Sequence, residues 1–196
     1  MPARFVYWMN VSLDLKIERD RDEDGSGDWM SIDEAIHLVF NARAAGLTHM
    51  VQGRKVYEAM EQYWPAVRED PSQPAFARAY GEIWTSMPKT LVSRSRTNAD
   101  YNTQIIGDRA MDRLAALRAE STGDIGVGGA DVASQMLLAG LLDELLLFTH
   151  PVILGRGRPV FDAYDEPIKL NLLEQAAYPG GVTMHRYAID YPAVAS

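Results

Sequence analysis

The sequence predicts a three-layer α/β fold with a mostly parallel central sheet, helices on both faces and an antiparallel hairpin at the C-terminus. Two observations support this prediction. Short apolar runs alternate along the chain with stretches whose apolar residues recur at helical spacing, which is the pattern of strand–helix–strand units. Near the C-terminus, runs at 169–178 and 181–189 are separated by Pro179-Gly180-Gly181, which is typical of a hairpin.

Length and composition narrow the class of protein. The 196 residues, 47% hydrophobic and 23% charged, suit one globular domain over residues 1–196. The absence of cysteine excludes disulfides, thiolate metal sites and cysteine nucleophiles. We see no signal-peptide pattern and no apolar run of bilayer length, so we expect a cytoplasmic protein without membrane contact. The net charge of −8 argues against nucleic acid as a partner, and the scattered histidines predict no metal site.

The individual elements follow from periodicity and from turn residues. Residues 3–11 are rich in aromatic and branched side chains, which predicts the first strand. Ser31, with Glu34 three residues later, has the capping-box pattern of a helix that continues to about Ala45. After it we expect a strand at 47–52, a helix from 53, a loop over 65–74, a helix over 75–86, strands at 89–93 and 104–107, and a helix over 108–120.

The stretch 123–161 is the most informative part of the chain. A strand ends in Gly126-Val127-Gly128-Gly129, a helix follows, and the apolar run Leu145 to Phe148 suits a strand buried on both faces. A strand that enters a helix through bare backbone offers free N–H groups and the helix dipole to a phosphate. Spacing alone is equally compatible with a tight turn that binds no ligand.

Gly53-Arg54-Lys55 forms a second turn of this kind, in which a strand passes through glycine into a helix; we call such a turn a corner. Positive charge at a helix start opposes the helix dipole unless an anion lies between them. Ser93 and Arg94 follow another short strand. Each basic pair has the alternative interpretation of a solvated surface. Because ligands of parallel sheets bind at the carboxyl ends of the strands, we expect these segments to form one site. The segments are Ser12 to Asp14, Gly53 to Lys55, Ser93 to Arg96 and Gly128 to Ala130.

The ordered set of motifs resembles the dihydrofolate reductase fold. More closely, it is similar to the reductase domain at the C-terminus of bifunctional riboflavin-biosynthesis deaminase-reductases. The motifs are VSLD at 11–14, GRKVYEAM at 53–60, KTLVSRS at 89–95, GG at 128–129, LLDEL at 141–145 and PVILGRG at 151–157. The resemblance implies an NADPH-dependent reductase of a small heterocyclic or carbonyl compound, similar to 5-amino-6-(5-phosphoribosylamino)uracil reductase or dihydrofolate reductase, and a homodimer.

The resemblance also implies site residues. It places the nicotinamide near Asn10 and Ser12, the cofactor phosphates near Gly53, Arg54 and Lys55, the adenosine 2′-phosphate at Ser93 and Arg94, and the pyrophosphate against Gly128, Gly129 and Ala130. These residue types agree with the chemistry, since helix starts and arginines bind phosphate and glycines permit close approach of the backbone.

Several positions depart from the family pattern. Trp8 stands where the family has lysine, and Val127 where it tends to have glutamate, which predicts a less polar substrate pocket at these two positions. Val56 replaces a threonine, and Leu15 replaces the glycine after SLD. Because polar family residues have become apolar, the alternative is a non-catalytic homodimeric binding protein that retains the fold and the cofactor.

Asp14 is the candidate catalytic residue, as a proton donor or as an orienting group, and its alternative is a turn residue. Asp33 and Glu34 are further candidate acids, but their position at the start of the first helix favours the alternative of capping and dipole residues. The charged segment 18–28 is either a surface loop or a flap over the site. For the dimer, the DELLLF segment at 143–148 is the candidate interface.

Overall fold

The computed structural model describes residues 3–19, 27–162 and 164–191. Of the segment 18–28, residues 20–26 therefore lie outside the described residues. The strands in the described ranges are β1 (Arg4–Ser12), β2 (Lys16–Arg19), β3 (His49–Gly53), β4 (Lys89–Val92), β5 (Thr103–Ile106), β6 (Asp124–Gly128), β7 (Glu144–His150), β8 (Gly157–Pro159), β9 (Lys169–Ala177) and β10 (Thr183–Asp190). The helices are α1 (Glu34–Ala45), α2 (Arg54–Glu69), α3 (Ala75–Ser86), α4 (Ala110–Glu120) and α5 (Ala130–Leu138), with a 3₁₀ turn at Pro179–Gly181.

The central sheet has the strand order β5-β4-β3-β6-β1-β7-β10-β9. The six strands from β5 to β7 are parallel, whereas β10 is antiparallel to β7 and β9 is antiparallel to β10. The short strands β2 and β8 form a separate antiparallel pair. The predicted parallel sheet and C-terminal hairpin are confirmed.

Alternation along the strands produces two cores, one on each face of the sheet. On β1, Phe5 and Tyr7 belong to the core beneath α4 and α5, which contribute Leu114 and Met136. The neighbouring Val6 faces the opposite core, and α1, α2 and α3 contribute Phe40, Tyr57 and Trp84 to it. The predicted three-layer arrangement is therefore also confirmed.

The predicted start of α1 at a Ser31 cap is wrong. Asp33 is the N-cap, because its side-chain oxygen accepts a hydrogen bond from Ile36 N at 2.9 Å. An ionised carboxylate at this position satisfies a free N–H group and also interacts favourably with the helix dipole. The backbone N–H of Ser31 instead donates to His150 Nδ1 at 2.9 Å.

The loop predicted over 65–74 is wrong in its first half, because α2 continues through Pro65 to Glu69. Pro65 cannot donate the usual backbone hydrogen bond. The helix nevertheless packs closely on α3 at Gly81, where an added Cβ would lie only 2.8 Å from Trp64 O. This long-range packing explains why α2 extends beyond the boundary that proline favours locally.

The DELLLF segment is not available as an interface between copies. Its strand β7 pairs with β1 on one side and with β10 on the other, and Leu145 to Phe148 are buried. The hypothesis that this segment forms a dimer interface is therefore wrong. The C-terminal edge of the sheet is β9, most of whose residues are exposed.

Candidate functional site

The sheet brings the four predicted segments to one edge. Strands β1, β3, β4 and β6 run parallel and end at Ser12, Gly53, Val92 and Gly128. Their carboxyl ends therefore lie side by side, in the order β4-β3-β6-β1. This is the edge at which parallel α/β sheets bind their ligands.

The two glycine corners are in contact with each other. A Cβ atom added to Gly129, whose φ is 106°, would lie 3.4 Å from Gly53 N and 3.5 Å from Gly53 Cα. Gly128 is equally close to α2, since its Cβ would lie 3.3 Å from a methyl carbon of Val56. Glycine is therefore needed at 129 both for its backbone conformation and for the close approach of the two corners.

Both helices that leave these corners begin without a side-chain cap. Among the described residues, no side chain accepts a hydrogen bond at the N-caps Gly53 of α2 and Gly129 of α5. The free N–H groups of two adjacent helix starts form a polar, anion-attracting surface. Nearby, Arg54 Nη1 lies 3.0 Å from Glu58, and the exposed Lys55 Nζ lies 3.9 Å from Glu18.

Beyond β4, a cleft of about 340 Å³ contains several arginines. Its lining residues are Ser93, Arg94, Arg96, Ile105, Gly107, Asp108 and Arg113. Arg96 is neutralised by Glu61, at 3.2 Å, and its guanidinium lies 5.6 Å from the centre of the Tyr57 ring. Within the described part of the chain, no acidic side chain forms an ion pair with Arg94 or Arg113. These two arginines provide positive charge for an anion.

Ser12 and Asp14 are occupied by contacts within the protein. The buried Ser12 hydroxyl donates to Asp14 Oδ1 at 2.7 Å and accepts from Lys16 N at 2.9 Å. Asp14 also accepts from the backbone N–H groups of Leu154 and Gly155, at 3.0 and 2.8 Å. These hydrogen bonds, led by the one from Ser12, lower the pKa of Asp14 to about 2.

Asp14 is therefore ionised at neutral pH and accepts hydrogen bonds rather than supplying a proton. The geometry favours the orienting alternative, in which Asp14 joins the end of β1 to the loop before β8. The Ser12 side chain serves the same turn and has no exposed surface for a cofactor. Of the two other candidate acids, Asp33 is the N-cap of α1 and Glu34 lies in the first turn of the helix.

Asn10 is held by a histidine that the sequence analysis did not select. His150, fully buried at the end of β7, lies with Nε2 3.0 Å from Asn10 Oδ1 and with Nδ1 2.9 Å from Ser31 N. The Trp29 ring meets the His150 ring edge-on, 5.6 Å away. Burial lowers the pKa of His150 to about 4, so its imidazole is neutral at physiological pH.

The two predicted substrate residues are not brought together. Trp8 packs against Phe40 and Phe148 on the α1 side of the sheet, beside a small cleft of about 170 Å³. Val127 pairs with Tyr7 in register and is only 2% exposed, within the core on the α5 side. We therefore correct the assignment of Val127, because a core side chain on the opposite face cannot line the same pocket as Trp8.

Three further residues belong to the site by geometry: His150, Gln52 and Arg113. Gln52 precedes the Gly53 corner, and its Oε1 is buried without a partner among the described residues, which is uncommon for a buried polar atom. The available sequence signal was a polar residue at the end of an apolar strand, as in LLLFTH and MVQ. Arg113 is an ordinary exposed helix residue, and only the fold places it beside Arg94.

The topology and the corners at the strand ends define a reductase-type domain with the dihydrofolate reductase-like fold. The family model described as the RibD C-terminal domain matches residues 5–184, so the chain belongs to this family. The resemblance inferred from the motifs is thereby confirmed. The family suggests a nicotinamide cofactor and oxidoreductase activity.

The relatives extend over nearly the whole chain. Two uncharacterized Bacillus subtilis proteins, YyaP and YwjB, are 28% and 25% identical, each matching 94% of this chain and 94% and 98% of their own lengths. A putative riboflavin biosynthesis protein from Shewanella has a TM-score of 0.74 at 20% identity, with 97% of this chain and all of that chain covered. RibD of Acinetobacter baumannii matches with a TM-score of 0.67 at 16% identity, over 97% of this chain and 59% of that protein.

Two further features concern the described residues. Within them, no group of three or more histidine, aspartate or glutamate side chains is arranged to hold a metal ion. None of the described helices has the length and apolar character needed to cross a membrane.

Proposed function

We propose that the protein is an NADPH-dependent reductase of a small heterocyclic or carbonyl compound. The observation that carries the proposal is the contact between the Gly53 and Gly129 corners, with two uncapped helix starts next to a cleft that contains Arg94 and Arg113. This arrangement suits a dinucleotide with a pyrophosphate in its centre and an additional phosphate at one end.

The residues present fit NADPH. The backbone N–H groups after Gly53 and Gly129 would hold the pyrophosphate, and Arg94, with Ser93 beside it, would hold the 2′-phosphate. When bound, the cofactor supplies a hydride, and the protein supplies position and electrostatics. The nicotinamide would lie near the end of β1, where Asn10 provides a polar side chain.

The test is a titration of NADPH and NADH that follows intrinsic tryptophan fluorescence. We expect NADPH to bind more tightly. Arg94→Gln should weaken NADPH binding about tenfold to a hundredfold and leave NADH binding unchanged, because an arginine–phosphate bond contributes on the order of 1.5–3 kcal/mol. Arg109→Gln is the control, because Arg109 is exposed and paired with Asp112. Absence of saturable NADPH binding at millimolar concentration would refute the proposal.

A second candidate function is a binding protein that retains the cofactor without catalysis. The observation that favours it is the engagement of the Asp14 carboxylate within the protein, where it accepts hydrogen bonds from Ser12, Leu154 and Gly155. Stopped-flow oxidation of bound NADPH, with a panel of pterins, uracils, flavins and quinones, separates the two functions. Turnover with any of these compounds would remove the non-catalytic alternative.

We also propose a homodimer, formed through β9 rather than through β7. Among the described strands, β9 has a neighbour on one side only, and Leu170, Leu172 and Leu173 are 43–52% exposed on it. An exposed apolar edge strand readily pairs with another chain. Sedimentation at micromolar concentration should show a dimer with twice the 21.8 kDa mass of the chain. The variant Leu172→Lys should sediment as a monomer. A monomer at all concentrations would contradict this proposal.

A further inference from the structure

Near the end of β1, Ser31, His150 and Asn10 form a series of hydrogen bonds in which each donor and acceptor is determined. Ser31 N lies 2.9 Å from His150 Nδ1, and His150 Nε2 lies 3.0 Å from the Asn10 side-chain amide. A backbone N–H can only donate, so Nδ1 must accept. A neutral imidazole that accepts at Nδ1 carries its proton on Nε2, and Nε2 therefore donates to Asn10 Oδ1.

The direction of the series determines what Asn10 can offer to a ligand. With Oδ1 accepting from His150, the amide is left with the two N–H donors on Nδ2. No described residue accepts a hydrogen bond from these donors. Asn10 is only partly buried, at the end of the strand that borders the proposed cofactor site. It therefore presents two unpaired N–H donors, whereas its oxygen already accepts a hydrogen bond from His150.

The surroundings keep the series in this state. His150 has no exposed surface, and burial keeps it neutral, so that Nδ1 remains an acceptor near pH 7. Trp8, two residues before Asn10 on the same face, packs against Phe148, which is opposite Asn10 on β7. Hydrogen-bond donors beside such apolar side chains discriminate more strongly between ligands than donors in water.

We propose that Ser31 and His150 hold the Asn10 amide as a hydrogen-bond donor, so that the site selects a ligand with a carbonyl oxygen facing Asn10 over one with an amino group there. Asn10 is then a specificity-determining residue and His150 a positioning residue that acts through it. The inference rests on the proposed function in one respect, which is that the substrate binds at the end of β1.

The first test needs no ligand. Long-range ¹H–¹⁵N NMR spectra of the wild-type protein at pH 7 should show His150 as the neutral tautomer with its proton on Nε2. The Asn10 side-chain NH₂ resonances should shift in His150→Leu and return towards the wild-type position in His150→Gln, whose amide N–H can replace the Nε2 donor. A proton on Nδ1, or an imidazolium at pH 7, would overturn the proposal whether or not NADPH binds.

The second test compares two ligands of equal shape. Lumazine, which is pteridine-2,4-dione, presents oxygens where 2,4-diaminopteridine presents amino groups. We expect wild-type protein to bind lumazine at least tenfold more tightly, since one mispaired buried hydrogen bond costs a factor of about ten or more. Asn10→Asp, which presents only acceptors, should reverse the preference, and His150→Leu should reduce it.

The outcomes separate this inference from the proposed function. Equal binding of the two pteridines, a preference unchanged in Asn10→Asp, or no binding of either at millimolar concentration would overturn the carbonyl assignment. If wild-type protein fails to bind NADPH while the NMR result holds, the proposed function fails and the orientation of Asn10 stands.

Discussion

Leu15 adopts a backbone conformation that leucine disfavours. Its φ is 57°, in the left-handed region, and the turn requires it because Leu15 N donates to Ser12 O and Leu15 O accepts from Val160 N. This explains why the family pattern has glycine at the position. Leu15→Gly should raise the free energy of unfolding by about 1 kcal/mol, because the strain of a left-handed leucine exceeds the entropic cost of glycine.

Urea denaturation measures this effect, and Leu13→Gly is the matched control. Leu13 is 62% exposed and is not in the left-handed region, so its replacement should lower stability by about 0.5–1 kcal/mol. Similar losses in the two variants would contradict the assignment of strain to Leu15.

His150 should make stability depend on pH. Its pKa is about 4 in the folded protein and about 6.5 in the unfolded chain, so the unfolded state binds the proton first as the pH falls. Stability is therefore lost as the pH falls from 6.5 to 4, by up to about 3 kcal/mol. The neighbours Ser31, Asn10 and Trp29 are uncharged, and burial alone causes the shift.

Chemical denaturation at several pH values, with wild type beside His150→Gln, measures this contribution. The variant should lose less stability than wild type between pH 6.5 and pH 4. Parallel curves for wild type and His150→Gln would show that His150 does not titrate in this range.

At the scale of elements, α2 and α3 depend on one glycine. An alanine Cβ at Gly81 would lie 2.8 Å from Trp64 O and 3.2 Å from Arg68 N, both backbone atoms that cannot move independently of α2. Gly81→Ala should therefore lower stability by about 1–3 kcal/mol, although alanine is the better helix former. Thermal unfolding tests this against Gly46→Ala, where the nearest contact is 3.4 Å. A rise in stability on Gly81→Ala would show that the helices do not pack as described.

The same elements show what local sequence patterns could and could not predict. Strand and helix order followed from periodicity, and the corners at Gly53 and Gly129 followed from glycines at strand ends. The extension of α2 past Pro65 could not be predicted, because it depends on contact with Gly81 on another helix. His150 was missed for the same reason, since its partners Asn10 and Ser31 are 140 and 119 residues away in the chain.

At the scale of the whole molecule, the two edges of the sheet have different chemistry. The carboxyl edge has glycines, uncapped helix starts and two arginines, Arg94 and Arg113, that form no ion pairs with described residues. On the opposite side, Arg4, Asp124 and Glu144 are the first residues of β1, β6 and β7, and Arg186 reaches them from β10. The four alternating charges form a closed ring, with Arg4 Nη1 2.8 Å from Glu144 and Arg186 Nη2 3.0 Å from Asp124.

This ring predicts that stability and ligand binding can be separated by mutation. Glu144 is buried and contacts both arginines, so Glu144→Gln would leave two guanidinium groups incompletely paired and should lower the free energy of unfolding by about 3 kcal/mol. Glu174→Gln is the control, since the 44% exposed Glu174 side chain pairs with Arg43 alone among the described residues and should contribute less than about 1 kcal/mol. Urea denaturation measures the difference, and NADPH titration of folded Glu144→Gln should give the wild-type affinity. A loss of affinity in Glu144→Gln, or a stability loss no larger than that of Glu174→Gln, would contradict the division of the sheet into a stabilising edge and a binding edge.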